Sequence, residues 1–384
     1  MDYLEIINFI RSKFDSINSI PLHSPCFRGN EKKYLEETID STFVSSVGLF
    51  VDKSENLFKE LTGTKKAIAV VNGTSGLQVA LKLVGVVNEE EVITQALSFV
   101  ATANAISYNG AIPVFLDVDY DTMSLSPYAV KNFLEEFGEI RVGGTFNKFT
   151  NKRIAACVPM HTFGFPARMD ELMEVCSQWN IPIVEDAAES LGSYYKGKHT
   201  GTMGEIGVFS FNGNKIVTCG GGGMIISNSR EKGLLAKHLT TTAKVPHQFE
   251  YFHDQVGFNF RMPNLNAALL CAQMEKLDFF LKSKRALAKE YSYFFSSIGV
   301  KFREELPETK VNYWLMSIEL ESKFDRDLFL EKTNKNNVLT RPIWTLLYKL
   351  PMYNHCYRDN QINAEKLEMR IVNIPSGVSN LILK

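Results

Sequence analysis

The apolar positions of the chain fall into two textures that meet near residue 250. Between Ala67 and about Ser229, short apolar runs alternate with stretches of helical period. AIAVV (67–71) reads as a buried strand and is followed by an amphipathic stretch, Leu77–Val86. EVITQ (91–95) leads into ATANAISYNG, and IPVFLDV (112–118) is a further strand. Next come IAACVPM (154–160), a helix around Asp170–Trp179 and IPIVEDA (181–187). GVFSF (207–211) and GGMIISN (222–228) complete the series. Strands alternating with helices predict a mixed, mostly parallel sheet between helices, an α/β architecture. Ligands of such sheets sit at the carboxyl ends of the strands. The segment 138–153, rich in Gly, Lys and Asn, reads as a loop insertion.

Beyond residue 250 the pattern changes. Pro263 opens a long helical stretch whose apolar face includes Leu269, Ala272, Leu277, Phe280 and Leu281. A strand in YWLMSIEL (313–320), a helix from about Asp325 and a final helix in AEKLEMRIV (364–372) predict a smaller α+β unit. At the other end, Leu4, Ile7, Ile10 and Phe14 recur at helical spacing, with Asp2 and Glu5 where a signal peptide has basic residues. The expected organisation is a large domain over 20–250 and a small domain over 251–384. Residues 1–19 form a helix that packs on the small domain.

A length of 384 residues agrees with two domains. Lys plus Arg number 42 and Asp plus Glu 43, a balance without the basic field of a nucleic-acid binder. No run approaches the roughly 18 apolar residues of a membrane span. The six cysteines are scattered without a C-x-x-C pair. That usage predicts reduced thiols in a cytoplasmic protein, with neither a disulfide frame nor a metal site.

Three segments carry candidate chemistry. In IVEDAAES, Asp186 follows an apolar strand at the sheet edge where ligands bind, and a buried carboxylate there needs a cationic partner, such as a protonated pyridine nitrogen. The plainer reading of Asp186 is a helix N-cap. In GVFSFNGNKIVTCGGGGMIIS, Lys215 stands between strand-like runs and before four glycines, Gly220 to Gly223. A lysine tucked between buried strands is costly unless it is paired or neutralised, and neutralisation is what Schiff-base chemistry requires, while the plainer reading is a surface lysine in a hairpin loop. In VVNGTSGLQVALKL, Asn72, Gly73, Thr74 and Ser75 join a strand to a helix, placing free amides and two hydroxyls where a phosphate binds. Ordinary helix capping explains the same residues.

The order of these segments is that of fold-type I pyridoxal 5′-phosphate (PLP) enzymes, and the chain resembles the DegT/DnrJ/EryC/StrS family of sugar aminotransferases. NGTSGLQVALKL, SFVATANAISYNGAIPVFLDVD, VPMHTFGFPARMDEL, IVEDAAESLGSYYKGKHTGTMGEIGVFSFNGNK, GFNFRMPNLNAALL and AEKLEMRIVNIPSG carry the resemblance, from roughly Pro21 to Gly377. FVSSVGLFVDKSE with FNGNK is similar to the branch that makes 4-amino sugars for nonulosonate (legionaminic-type) or bacillosamine-type glycans.

The resemblance implies that Lys215 carries the cofactor as a Schiff base. Relatives with a histidine at that position act as dehydratases. Asp186 is expected to pair with the pyridinium nitrogen, Glu189 to lie near the phenolic oxygen, and Phe99 to stack on the ring unless it is a core aromatic. Gly73, Thr74, Ser75 and Ser210 are expected at the phosphate, with Asn259 of GFNFRM reaching it from the partner subunit of a homodimer. Substrate contacts are expected from Arg341, Trp344 and Tyr348, where many relatives have histidine in place of Tyr348. By the strand-end argument His161 faces the ligand, unless it is a structural histidine. Gly221 stands where the family has a glutamate. The implied reaction moves an amino group, from L-glutamate, to C4 of a nucleotide-linked 4-keto-6-deoxy-N-acetylhexosamine. Sugar 3-amination, or another PLP-dependent nucleotide-sugar reaction on the same scaffold such as deoxygenation, is the alternative, and a PLP-bound regulator would need a DNA-binding appendage that the first 20 residues do not provide.

Overall fold

The computed structural model describes residues 2–14 and 18–382. Its centre is a seven-stranded sheet. The strands run in the order Lys66–Val70, Gly223–Ser227, Ile206–Ser210, Val184–Asp186, Ile154–Val158, Glu91–Gln95 and Ile112–Leu116. Single parallel bridges, Cys157 with Ile183 and Met160 with Asp186, join its two halves. Every neighbouring pair is parallel except those made by Gly223–Ser227, which is antiparallel to both its neighbours. Strand interiors such as Glu91–Gln95 and Ile154–Val158 are buried throughout, as expected for strands with both faces covered. The carboxyl ends of the parallel strands therefore converge on one edge, which receives Asn72, Phe99, Asp186 and Ser210.

The segment 138–153 is not a plain loop. Gly138–Arg141 and Gly144–Asn147 pair as an antiparallel hairpin, and Gly143 and Gly144 turn it with φ of 97° and 135°, a region that favours glycine. The hairpin's inner face holds Thr145 and Asn147, and the Asn147 amide donates to Glu91 Oε2 at 3.0 Å.

The long stretch after Pro263 is two helices, Asn264–Met274 and Leu277–Ser297. The last helix, Ile362–Arg370, ends earlier than its apolar period suggests. Ile371 and Val372 instead enter a strand, Ile371–Ile374, opposite Glu319 and Ile318, because β-branched residues suit a buried strand. This strand lies in a C-terminal antiparallel sheet ordered Lys301–Phe302, Met316–Glu319, Ile371–Ile374, Arg341–Pro342. The helices Glu31–Asp40, Leu49–Thr62, Pro127–Phe137 and Arg230–Thr240 do not stand out in the sequence. One of them is held from afar: Asn264 Oδ1 accepts the N–H groups of Phe50 and Val51 at the start of Leu49–Thr62.

The first helix, Tyr3–Arg11, is capped by the Asp2 carboxylate. Its buried face is Ile6, Ile7 and Ile10, whereas Leu4 points to solvent. Phe9 stacks on Phe294 at 3.8 Å and Tyr3 meets the ring edge of Phe329, which seats the helix on the C-terminal elements. Part of the 1–19 segment, residues 1 and 15–17, lies outside the described residues.

Lys284 is wholly buried in the helix Leu277–Ser297, and its ammonium donates to the carbonyls of Tyr313, Trp314 and Ser376. Burial pushes the amine down from 10.5 to about 7. Between those values the unfolded chain holds a proton that the folded chain lacks, so this group makes stability rise with pH across that window. Lys284→Met is expected to flatten the rise. Urea unfolding of both proteins between pH 7 and 10 checks this, and parallel pH curves would contradict it.

Candidate active site

A cavity of about 630 Å³ opens at the carboxyl edge of the central sheet and is closed from the other side by residues of the C-terminal sheet. Of the residues singled out by sequence, Gly73, Thr74, Phe99, Asp186, Glu189, Ser210, Lys215, Arg341 and Trp344 line it.

One corner is built by the start of the helix Gly73–Leu83. Asn72 caps it, its side chain accepting the Ser75 N–H at 2.8 Å. The Gly73 and Thr74 amides precede the first intrahelical bond and stand at the positive end of the helix dipole. A Cβ on residue 73 would lie 2.9 Å from the Ser210 Cβ, so only glycine lets helix start and strand end approach so closely. The result is an anion cradle of backbone amides and hydroxyls at Gly73, Thr74 and Ser210. Ser75 lies in the same first turn, donates its amide to Asn72 Oδ1 and does not line the cavity.

A second corner is Asp186. No helix follows it, so it is not an N-cap; its Oδ1 accepts the Ala188 N–H at 3.1 Å and its Oδ2 the Thr102 hydroxyl at 2.7 Å. Burial pushes this carboxyl up from its ordinary value, and the Thr102 hydroxyl and Ala188 amide pull against that rise. Such a buried carboxylate is suited to hold a cationic group beside it.

The third corner is Lys215, which follows a short turn closed by its own N–H to the Asn212 carbonyl. It is not a surface lysine: its side chain is 12 % exposed, with Nζ 3.2 Å from Glu189 Oε1 and 3.8 Å from the centre of the Trp314 ring. The Trp314 indole N–H donates to the Asn214 carbonyl at 2.7 Å, so ring and lysine loop are tied together. Glu189 is buried and takes the Phe163 N–H through its Oε2 at 2.9 Å. Burial raises the Glu189 carboxyl, against the pull of the Lys215 ammonium and the Phe163 amide. Phe99 is 52 % exposed at the cavity wall, which rules out the core-aromatic reading. An anion cradle, a buried carboxylate, an aromatic face and a shielded amine around one cavity fit the phosphate, ring nitrogen, ring and aldehyde carbon of PLP.

His161 and Tyr348 are corrections. His161 is fully buried away from the cavity; its Nε2 pairs with Glu185 at 2.9 Å and its Nδ1 accepts the Ala167 N–H at 3.1 Å. Burial alone would raise the Glu185 carboxyl, but His161 and the Gly201 and Gly204 amides outweigh it and leave it below the ordinary glutamate value. Both imidazole nitrogens are thus spent on structure. Tyr348 is buried outside the cavity lining and donates its hydroxyl to Glu365 at 2.7 Å. Asn259 is exposed outside this chain's own cavity, where its Oδ1 accepts from Arg261 Nε and Nη2 at 3.1 and 2.9 Å. Gly221 lines the cavity, and nothing in the structure explains its presence in place of a glutamate.

Sequence reasoning missed Thr102 and Trp314. Thr102 lies within SFVATANAI, where the pattern marks only a helix. Trp314 lies just before the strand Met316–Glu319, and its apolar neighbours make it look like part of that strand.

Residues 25–380 match the DegT/DnrJ/EryC1/StrS aminotransferase family. The chain is 36 % identical over 357 residues to the GDP-perosamine synthase of Escherichia coli O157:H7, covering 93 % of each chain. With the GDP-perosamine synthase of Vibrio cholerae it shares 34 % identity over 363 residues, covering 93 % of this chain and 94 % of that one. The crystal structure of the aminotransferase TlmJ from Streptoalloteichus hindustanus superposes with a TM-score of 0.85 at 25 % identity, covering 95 % of both chains.

Proposed function

We infer, from the premise that this chain belongs to the DegT/DnrJ/EryC1/StrS aminotransferase family, that it delivers an amino group from L-glutamate to the C4 ketone of a nucleotide-linked 4-keto-6-deoxyhexose. Membership makes it a PLP-dependent nucleotide-sugar aminotransferase; the donor, the ring position and the sugar are the proposed part. The observation that carries the reading is the convergence of Lys215, Asp186 and the Gly73–Thr74 amides on one cavity. The names of the two synthases favour GDP as the nucleotide.

When bound, PLP supplies an electron sink for the pair left behind as a proton leaves the donor's α-carbon. The amides of Gly73 and Thr74, with Ser210, anchor the phosphate. Asp186 holds a positive charge on the ring nitrogen, and Thr102 fixes the direction of its carboxylate. Phe99 covers the ring. Lys215 would be the residue that holds the cofactor, and its amine would carry the proton at the donor's α-carbon. The amino group leaves one substrate before the other enters, so the kinetics are ping-pong. Incubation with L-glutamate and GDP- or UDP-linked 4-keto-6-deoxyhexoses, with and without a 2-acetamido group, tests the reading by NMR of the product. Amination at C3, or no amination of any ketosugar, would sink it.

The enzyme works as a homodimer with shared sites. Exposed apolar residues around the loops near Asn259 and at the 43–49 turn, among them Phe43, Leu49, Phe249 and Tyr251, support a covered surface. No helix among the described residues is long and apolar enough to cross a membrane, and the six free cysteines fit a reducing compartment, the cytoplasm. If Asn259 completes the partner's phosphate site, Lys215→Ala and Asn259→Ala homodimers are each impaired. Mixing them then restores one intact site per heterodimer, with activity towards half that of wild type. Verified subunit exchange without recovery would place Asn259 in its own subunit's chemistry.

A further inference from the structure

Phe163 holds a backbone conformation that bulky side chains avoid. Its φ is 55° and its ψ 16°, in the left-handed region that favours glycine, and its side chain is fully buried. Such an outlier persists only where its surroundings impose it, and outliers of this kind cluster where the conformation is used. Phe163 does not line the active-site cavity, so any use passes through its neighbours.

Those neighbours surround Lys215. The Phe163 N–H donates to Glu189 Oε2 at 2.9 Å, and Glu189 Oε1 lies 3.2 Å from Lys215 Nζ. The Phe163 ring centre lies 4.7 Å from that of Trp344 and 6.2 Å from that of Trp314. Trp344 lines the cavity, and Trp314 covers the lysine amine. The next residue, Gly164, has a φ of 97°, and a Cβ there would overlap Asn312 Oδ1. Asn312 itself donates to the Glu189 carbonyl at 2.9 Å and accepts the Trp314 N–H at 2.8 Å. Rings, glycine and asparagine together hold residue 163 in a conformation that its own side chain disfavours.

The conformation gives the N–H its direction. Burial lifts the Glu189 carboxyl and Asp186 pushes the same way, while the Lys215 ammonium and the Phe163 N–H favour the carboxylate. The other charged or titratable groups around the pair are His161, which acts on Asp186, His23, which feels the Lys215 charge, and Arg341 on the cavity wall.

We propose that Phe163 is a positioning residue: its left-handed backbone aims the N–H that keeps the Glu189 carboxylate turned to the Lys215 amine. The two tryptophan rings hold it there. This rests on the reading of Lys215 as the cofactor carrier and adds a residue with no assigned role.

The test is a pH titration of the visible absorbance of the holoenzyme, which reports the proton on the lysine–cofactor link. An anionic Glu189 favours the protonated form, so Glu189→Gln is expected to lower the midpoint by about one pH unit or more. Phe163→Ala and Phe163→Leu lose the aromatic contacts and keep the penalty on left-handed backbone, so residue 163 relaxes and the midpoint falls by about one unit. Phe163→Gly removes still more of the side chain, yet glycine takes this backbone freely, and its midpoint is expected within about 0.3 unit of wild type. A residue that only filled space would give the opposite ranking, with glycine at least as far from wild type as alanine. That ranking would overturn the proposal, as would wild-type midpoints in the folded alanine or leucine variant. An unmoved midpoint in Glu189→Gln would overturn it whether or not the Phe163 variants fold. If wild type has no visible band that Lys215→Ala removes, the carrier reading falls; a normal band with unmoved midpoints removes only the role of Phe163.

Discussion

If Lys215 is both the covalent anchor and the proton carrier, Lys215→Ala is expected to lower turnover by at least about 10³-fold. The visible absorbance of the lysine–cofactor link should vanish with it, as should the cofactor fixed to the protein by borohydride. The site around Lys215 explains why no neighbour substitutes. Its Nζ is held between Glu189 and the Trp314 ring, and the ring is tied to the lysine's own loop through the Asn214 carbonyl. Lys284, buried in the helix Leu277–Ser297, has its ammonium fastened to three backbone carbonyls. Lys215→Arg separates charge from chemistry. It keeps a cation near the buried Glu189 and should therefore fold and retain phosphate-anchored cofactor, yet be as inactive as the alanine variant. Cofactor still fixed by borohydride in Lys215→Ala would show that another lysine is the anchor.

Asp186→Ala is the second large effect. Breaking a buried charge pair typically costs about 3–5 kcal/mol, which corresponds to roughly 10²–10³-fold or more in turnover if the loss falls on the reacting state. Asp186→Asn keeps the size of the side chain and its place between Thr102 and Ala188 while removing the charge. If charge is what matters, both variants are slow, and the better packing of the asparagine variant does not rescue it. If Asp186 only shapes the strand end, the asparagine variant keeps most of its activity. Wild-type turnover and cofactor affinity in both would remove Asp186 from the chemistry. Thr102→Val is the milder companion, since it takes one hydrogen bond from the same carboxylate and leaves its charge.

The central sheet was legible because its strands are buried on both faces. Runs such as EVITQ and IAACV must then be apolar along most of their length and stand out from the helices between them. Their order also placed the chemistry. Asn72, Asp186, Ser210 and the Lys215 loop each follow or end a strand, and the carboxyl ends of parallel strands share one edge, so a one-dimensional pattern predicted a common site. The amide cradle was readable for a similar reason, because a strand–Gly–helix junction fixes backbone direction locally.

The sequence could not say where side chains at those positions point. His161 follows a strand much as Asp186 ends one, yet the buried Glu185 claims its imidazole. Tyr348 follows Trp344 closely in sequence, but Glu365 holds its hydroxyl outside the cavity that Trp344 lines. Thr102 reaches Asp186 across 84 residues, and Trp314 reaches the lysine loop across 100. Asn373 comes beside Arg341 through strand register alone. Local periodicity reports which face of an element is buried; partners distant in the chain are set by how the elements pack and by which buried polar groups must satisfy one another. The strands and the chemistry they carry were thus determined by the sequence, while the choice of which polar residues face the ligand and which face each other was made only by the tertiary structure.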